Sequence, residues 1–234
     1  MNTVVKDGTS VKESQGILAN IGGTTLSVLI KGAFLFKGVN MLKLELPEVE
    51  TQRMIIRSIR LSDAQDLYEI ASDPRVNKYL LYPMHKSLDE TKEIIRKVFL
   101  TRVEQGVPSA YVLVDKKKNK MIGTCDFVSI HYHDVAEIGY SLNYDYWNNG
   151  LMSEAIKKVI EIGFDHVGIR IIQIKHSINN HASQRVIEKA GFQYEGTQRK
   201  LLYDKTINDY ADCKIYSLLK EEWRERNERF SDQI

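Results

Sequence analysis

The feature that most constrains this chain is a change of hydrophobic period near residue 145. Before it, Met54–Arg60, Ala110–Val114, Met121–Ile130 and Ala136–Leu142 alternate apolar and polar residues, as half-buried strands do. The last three follow one another through short polar turns, which predicts an antiparallel meander. After it, Ser153–Phe164 turns Ala155, Ile156, Val159, Ile162 and Gly163 to one helical face. Ile171–Ser177 then reads as a strand, Ala182–Ala190 as a helix stopped by Gly191, and Phe192–Glu195 and Ala211–Leu218 as closing strands. Two helices also fall between the first strands. Ser62-Asp63-Ala64-Gln65 fits a capping box for one that ends at Pro74, and Ser87 with Glu90 caps another that runs to about Gln105. A meander followed by a strand–helix–strand–helix–strand half buries its apolar faces only with helices on both sides of one sheet. The expected class is α+β, with a mixed, mostly antiparallel sheet.

A chain of 234 residues with 43% hydrophobic content suits one ordinary domain. Its net charge of +2 comes from residues 1–40, which leaves 29 basic and 29 acidic residues in the remainder. Overall charge therefore gives no nucleic-acid footprint. Cys125 and Cys213 lie in apolar, strand-like contexts and are expected to be free buried thiols. Leu26–Phe36 is apolar but well short of the ~20 residues that span a bilayer. No charged region leads directly into an apolar run at the start. The expectation is a cytoplasmic protein without membrane or nucleic-acid partners, and a homodimer is compatible with it.

Residues 1–40 hold 6 of the 14 glycines and no clean period. They are expected to be an extension, flexible or not native, ahead of a single domain over residues 41–234. Lys37-Gly38-Val39-Asn40-Met41 back-translates as AAA-GGA-GTG-AAT-ATG, which contains a bacterial ribosome-binding sequence just before a start codon. Translation is therefore expected to begin at Met41.

Two stretches carry chemistry. In Tyr146-Trp147-Asn148-Asn149-Gly150-Leu151-Met152-Ser153-Glu154-Ala155, a strand reaches a glycine turn that opens a helix. The first N–H groups of a helix have no intrahelical partner and carry partial positive charge, so such a turn can cradle a pyrophosphate. Gly150 has no Cβ to hold a ligand away from the backbone. The second stretch runs from Asn179-Asn180-His181-Ala182-Ser183-Gln184-Arg185-Val186 to Ala190-Gly191-Phe192. Each alone reads equally well as a capped helix without a ligand.

In this order, about 30 residues apart, the two stretches resemble the GNAT superfamily of N-acetyltransferases. The first is similar to its acetyl-CoA pyrophosphate loop, the second to its N-x-x-S-x-x-V-x-x-x-G-F segment. Tyr-Trp-x-x-Gly-x-Met-x-Glu-Ala, Ala136-Glu137-Ile138-Gly139-Tyr140 and Asp212…Tyr216-Ser217-Leu218-Leu219 resemble the branch with the ribosomal-protein N-terminal acetyltransferases. Trp147 stands where the loop formula has Arg or Gln, and Met152 where it has Gly or Ala. Leu202 stands where some members with ribosomal substrates carry Glu, with Asp204 and Asp209 nearby.

The resemblance implies a GNAT fold and acetyl transfer from acetyl-CoA to a primary amine, without a metal. It implies cofactor binding by Leu142, Asn148, Asn149, Gly150, Leu151, Met152, Ser153, Asn180 and Ser183, with Asn180 on the pantetheine arm. It also implies direct attack, with Ser183 protonating the departing thiolate. Glu137 points opposite to Ala136 and Ile138 and is the candidate base, because an ammonium must lose a proton before it attacks. A structural carboxylate fits the same pattern. The acceptor stays open between a protein N-terminus and a small-molecule amine, and a non-catalytic acyl-CoA-binding module is the remaining alternative. His131 and His133 share a face but lack a third ligand at useful spacing. The Lys116–Lys120 turn reads as a solvated hairpin.

Overall fold

The computed structural model of the chain describes residues 28–30, 33–35, 43–80, 82–132 and 134–231, with side chains from 43 to 228. The expected start at Met41 and His133 lie outside the described residues. Within the expected extension, β1 (Val28–Ile30) and β2 (Ala33–Leu35) form an antiparallel hairpin, although the sequence there shows no clean period. It is a sheet of its own.

The domain is one eight-stranded sheet. It comprises β3 (Val49–Glu50), β4 (Met54–Ser58), β5 (Tyr111–Asp115), β6 (Lys120–His131), β7 (Val135–Leu142), β8 (Ile171–Ser177), β9 (Gln193–Asp204) and β10 (Asp209–Leu219). Their spatial order is β3-β4-β5-β6-β7-β8-β10-β9, antiparallel throughout except for β7 beside β8. The helices are α1 (Ala64–Ala71), α2 (Pro74–Asn77), α3 (Leu88–Ile94), α4 (Leu151–Glu161), α5 (His181–Ala190) and α6 (Lys220–Ser231).

Strand alternation divides the core. Ala64, Leu67, Ile70 and Ile95 of the α1–α3 layer pack on Val112, Val114 and Met121. On the other face, Ala155, Ile156, Val159 and Ile187 of α4 and α5 pack on Leu113, Phe127, Ala136, Ile138 and Ile172. This is the expected α+β sandwich, with all five inward residues of the α4 segment buried. The α1–α3 layer covers β4–β6 and leaves the same face of β7, β8, β10 and β9 less covered.

Two local expectations need correction. The first helix is not capped by Ser62. Asp63 instead accepts from the Arg60 amide at 2.7 Å, because a two-armed ion pair with Arg57 fixes its carboxylate at the start of a single turn ahead of α1. The closing strands are much longer than Phe192–Glu195 and Ala211–Leu218. Residues 199–210, which carry no sequence signal, complete a long hairpin whose two register shifts bend it. At the second helix, Ser87 caps as expected by accepting from the Glu90 amide at 3.1 Å, whereas the Glu90 carboxylate accepts from the Lys86 amide, one residue ahead of the cap, rather than from that of Ser87.

Candidate active site

Parallel pairing between β7 and β8 covers only Val135–Ile171, Ala136–Ile172 and Glu137–Gln173. Beyond it, β7 stays paired with β6 as far as Leu142, and β8 with β10 as far as Ser177. The two halves of the sheet therefore diverge past residue 137. Main-chain groups of β7 residues 138–142 on that side face an opening rather than a neighbouring strand.

The glycine turn stands at the end of β7. Trp147 Nε1 donates to the Leu142 carbonyl at 2.7 Å and fastens the turn to the strand. Asn148 and Gly150 take left-handed backbone, φ 59° and 72°, which Asn tolerates and Gly adopts without strain. A Cβ on Gly150 would find only Arg53 Nη2 within 4 Å, at 3.7 Å, so the loop is open above that residue. Arg53 was not expected here. From the β3–β4 turn it donates to the Asn149 carbonyl at 2.8 Å and pairs with Glu154 at 2.7 Å. A cation thus reaches the loop from about 100 residues away, in a chain whose loop carries Trp147 in place of Arg. Leu142, Leu151 and Met152 are buried in the core, so only their main chain can meet a ligand. Ser153 is half-buried in the first turn of α4.

The second stretch ends β8 and opens α5. Asn180 Oδ1 caps the helix by accepting from the Ser183 amide at 3.1 Å, which leaves its Nδ2 as the group able to donate to a ligand. Gly191 ends the helix at φ 93°. Ser183 Oγ lies 2.7 Å from Tyr140 Oη, and burial pushes the Tyr140 hydroxyl well above the usual phenol range. Tyr140 belongs to the even-numbered face of β7 with Ala136 and Ile138, the α4–α5 side. Glu137 belongs to the other face, as alternation predicts. The two expected catalytic residues therefore stand on opposite sides of β7 beside one opening.

Glu137 is half-buried and accepts from Lys175 Nζ at 2.8 Å. The pair lines a cavity of about 210 Å³ with Gln173, Gln198, Leu201 and Ile215. Asp126, which the sequence reading missed, lies on the same face opposite Gly139. Burial raises its carboxyl to about 6 against the opposing pull of its ion-pair partner Arg102. Tyr82 closes over this side. Burial raises its phenol to about 12 against the opposing effect of a hydrogen bond with Ser141, although the residue as a whole is partly exposed. Tyr79 donates to the Asn179 carbonyl at 2.9 Å, and Lys205 donates to Asn77 and Tyr82, so the α2–α3 loop meets the β9–β10 turn above the end of β8.

Asp204 and Asp209 are both engaged elsewhere. Asp204 is almost wholly buried and accepts from Ser177 Oγ and Asn179 Nδ2 at 2.8 Å each. Burial alone would raise its carboxyl, but hydrogen bonds from Thr206, Asn179 and Ser177 outweigh that and hold it at about 2. Asp209 is exposed and paired with Lys200. His131 shares a hydrogen bond with Ser129, and no group of three metal-ligating side chains occurs among the described residues. The lysine-rich turn is not wholly solvated, for Lys118 lies over the Tyr146 ring and Lys120 pairs with Glu69. Cys125 and Cys213 are free and buried, and burial raises the Cys213 thiol to about 11. No helix among the described residues is long and apolar enough to cross a membrane.

Known proteins share this fold. Residues 53–193 match the family profile described as Acetyltransferase (GNAT) domain. An uncharacterized N-acetyltransferase, p20 of Bacillus licheniformis, is 32% identical over 174 residues, covering 74% of this chain and 96% of that one. A ribosomal-protein-S5-alanine acetyltransferase from Vibrio fischeri superposes with a TM-score of 0.66 at 22% identity, covering 76% of this chain and 98% of that one. A spermidine N-acetyltransferase from Vibrio cholerae, solved with CoA and spermine, gives 0.65 at 17% identity, covering 74% and 99%. The family match begins just ahead of β4, takes in the opening and both strand-to-helix turns, and ends where β9 starts. The chain belongs to the GNAT family and is an acetyl-CoA-dependent N-acetyltransferase.

Proposed function

We propose that the acceptor is the α-amine of a protein N-terminus, brought to Glu137 across the less covered face of β7, β8, β10 and β9. One observation carries this reading: the carboxylates nearest the opening on that side of the sheet, Glu137 of β7 and Asp126 of β6, already have cationic partners, Lys175 and Arg102. A polyamine is recognised by carboxylates that lack such partners, since like charges facing a polycation cost binding. A chain terminus brings one charge and an extended backbone, which suits an open sheet face with Gln173 and Gln198 beside the base.

In this reading the main-chain N–H groups of residues 148–153 hold the pyrophosphate of acetyl-CoA, and Leu142 contributes only main chain. The pantetheine arm enters the opening and meets Asn180 Nδ2. On the Glu137 face, the carboxylate takes a proton from the ammonium, through water. The amine nitrogen attacks the thioester carbonyl, and a main-chain N–H near the end of β7 stabilises the oxyanion. The carbon–sulfur bond then breaks, the thiolate takes a proton from Ser183 on the other face, and the second proton shed by the amine nitrogen passes through water to restore the Ser183 hydroxyl. The amide product leaves with no acyl-enzyme formed. Base and acid on opposite sides of one strand suit a thioester held between them.

Acetyl-CoA turnover across Ala- and Ser-initiated peptides, spermidine, spermine and aminoglycosides tests the acceptor. The expected result is the highest kcat/KM for a peptide. A higher value for a polyamine or an aminoglycoside overturns the reading.

A further inference from the structure

Two carboxylate–cation pairs stand on the Glu137 side of the sheet, and their cations differ in kind. Asp126 is paired with Arg102, a guanidinium that keeps its proton and does not attack an acyl group. Glu137 is paired with Lys175, which becomes a nucleophilic primary amine once it loses a proton. Lys175 Nζ lies 2.8 Å from Glu137 Oε2. That is the reach a general base needs to the atom it deprotonates. The chain thus holds an amine of its own where the proposed base would meet that of an acceptor.

The strands put Lys175 beside the opening. Register between β7 and β8 ends at Glu137–Gln173, and Lys175 lies two residues further along β8, on the face it shares with Gln173 and Glu137. The Lys175 and Glu137 side chains are 30% and 20% exposed. They line the same cavity of about 210 Å³, so a small acyl group has room beside the amine. Neighbouring lysines are engaged differently. Lys214 of β10 lies on the opposite face, where Gln184 of α5 holds its ammonium. Lys205 donates to Asn77 and to the Tyr82 carbonyl. Lys200 pairs with Asp209 at the surface. Of these four lysines, Lys175 is the one in contact with Glu137.

We infer that Lys175 is a self-acetylation site, modified by acetyl-CoA bound to the same chain when no acceptor is present. The inference rests on the proposed reading, with Glu137 as base and the thioester in the opening. Glu137 takes one proton from the Lys175 ammonium. The freed Nζ lone pair forms a bond to the thioester carbonyl carbon, and the carbon–sulfur bond breaks with its electron pair going to sulfur. The second proton shed by the nitrogen reaches the thiolate by way of Ser183. The products are Nε-acetyl-Lys175 and CoA, and Glu137 returns its proton to solvent. The new amide is uncharged, so the modification also removes the cation that faces Glu137.

Incubation of the full chain with isotope-labelled acetyl-CoA and no acceptor, followed by peptide mapping by mass spectrometry, tests it. Label should enter Lys175 at least about 10-fold faster than Lys117 of the exposed hairpin turn, since a positioned base alone contributes roughly 10²–10⁴-fold. The rate constant should not change with protein concentration, as transfer within one chain requires. In Glu137→Gln and in Gly150→Asp, labelling of Lys175 should fall to the Lys117 rate. Labelling of Lys175 in the native chain no faster than of Lys117, with peptides turned over normally, overturns the inference and leaves the N-terminus reading intact. A rate constant that rises in proportion to protein concentration assigns the transfer to a second chain and also overturns it. Undiminished labelling in Glu137→Gln overturns it as well, because the base then plays no part. Fast labelling of Lys175 with no peptide acetylated upholds the inference and removes the proposed acceptor.

Discussion

Tyr140 Oη and Ser183 Oγ meet at 2.7 Å beside the opening between β7 and β8, one hydroxyl from a strand and the other from the first turn of α5. A proton given up by Ser183 has an immediate neighbour to re-form its bond, and Tyr140 fixes the serine rotamer. Ser183→Ala is expected to lower kcat by roughly 10- to 100-fold, at or below the usual general-acid range. Tyr140→Phe should cost less. The two losses should not add in the double variant, because the residues share one interaction. Additive losses in a steady-state double-mutant cycle would show that they act separately.

Glu137 holds Lys175 at 2.8 Å and faces the acceptor side. Glu137→Gln should lower kcat most at low pH, where less of the amine has already lost its proton, and least at high pH. The pH profile on the best peptide checks this. Full activity across the profile would move the base elsewhere. Asp126 is then the next carboxylate to test, since Asp204 and Asp209 are tied into other contacts.

Acetyl-CoA should raise the melting temperature of the native chain by mass action. Gly150→Asp should abolish that shift. A side chain at φ 72° is strained, and the new carboxylate would sit near Arg53, where the pyrophosphate is proposed to lie. An undiminished thermal shift in this variant would rule out the phosphate-loop assignment.

Asp204 links the end of β8 to the β9–β10 turn, and its carboxyl is held at about 2. A depressed folded value stabilises the protein above the unfolded value near 3.8, and that stability is lost as pH falls through about 2. The full shift corresponds to about 2 kcal/mol. Asp204→Asn should therefore lower stability at neutral pH by an amount of that order. It should also flatten the loss of stability between about pH 4 and pH 2. Urea denaturation at pH 7, 4 and 2.5 measures both effects, and an unchanged acid limb would show that Asp204 does not carry it.

By itself the sequence determined what is local. Alternation gave β4 to β8 and the outward turn of Glu137. A helical period gave the buried face of α4, and the glycine and asparagine turns marked where α4 and α5 begin. Those signals are legible because each lies within a few residues and obeys a period or a cap. The tertiary structure decided everything that depends on which strands become neighbours. It placed Arg53 on the loop of Asn149 and Gly150, paired Glu137 with Lys175, buried Asp126 against Arg102 and bent residues 199–210 into the long hairpin. It also ended the β7–β8 pairing at Glu137–Gln173, so that Tyr140 and Ser183 meet beside an opening. Such contacts join residues tens to about a hundred positions apart. Strand pairing selects among them through packing of the whole sheet, and no local period records that choice.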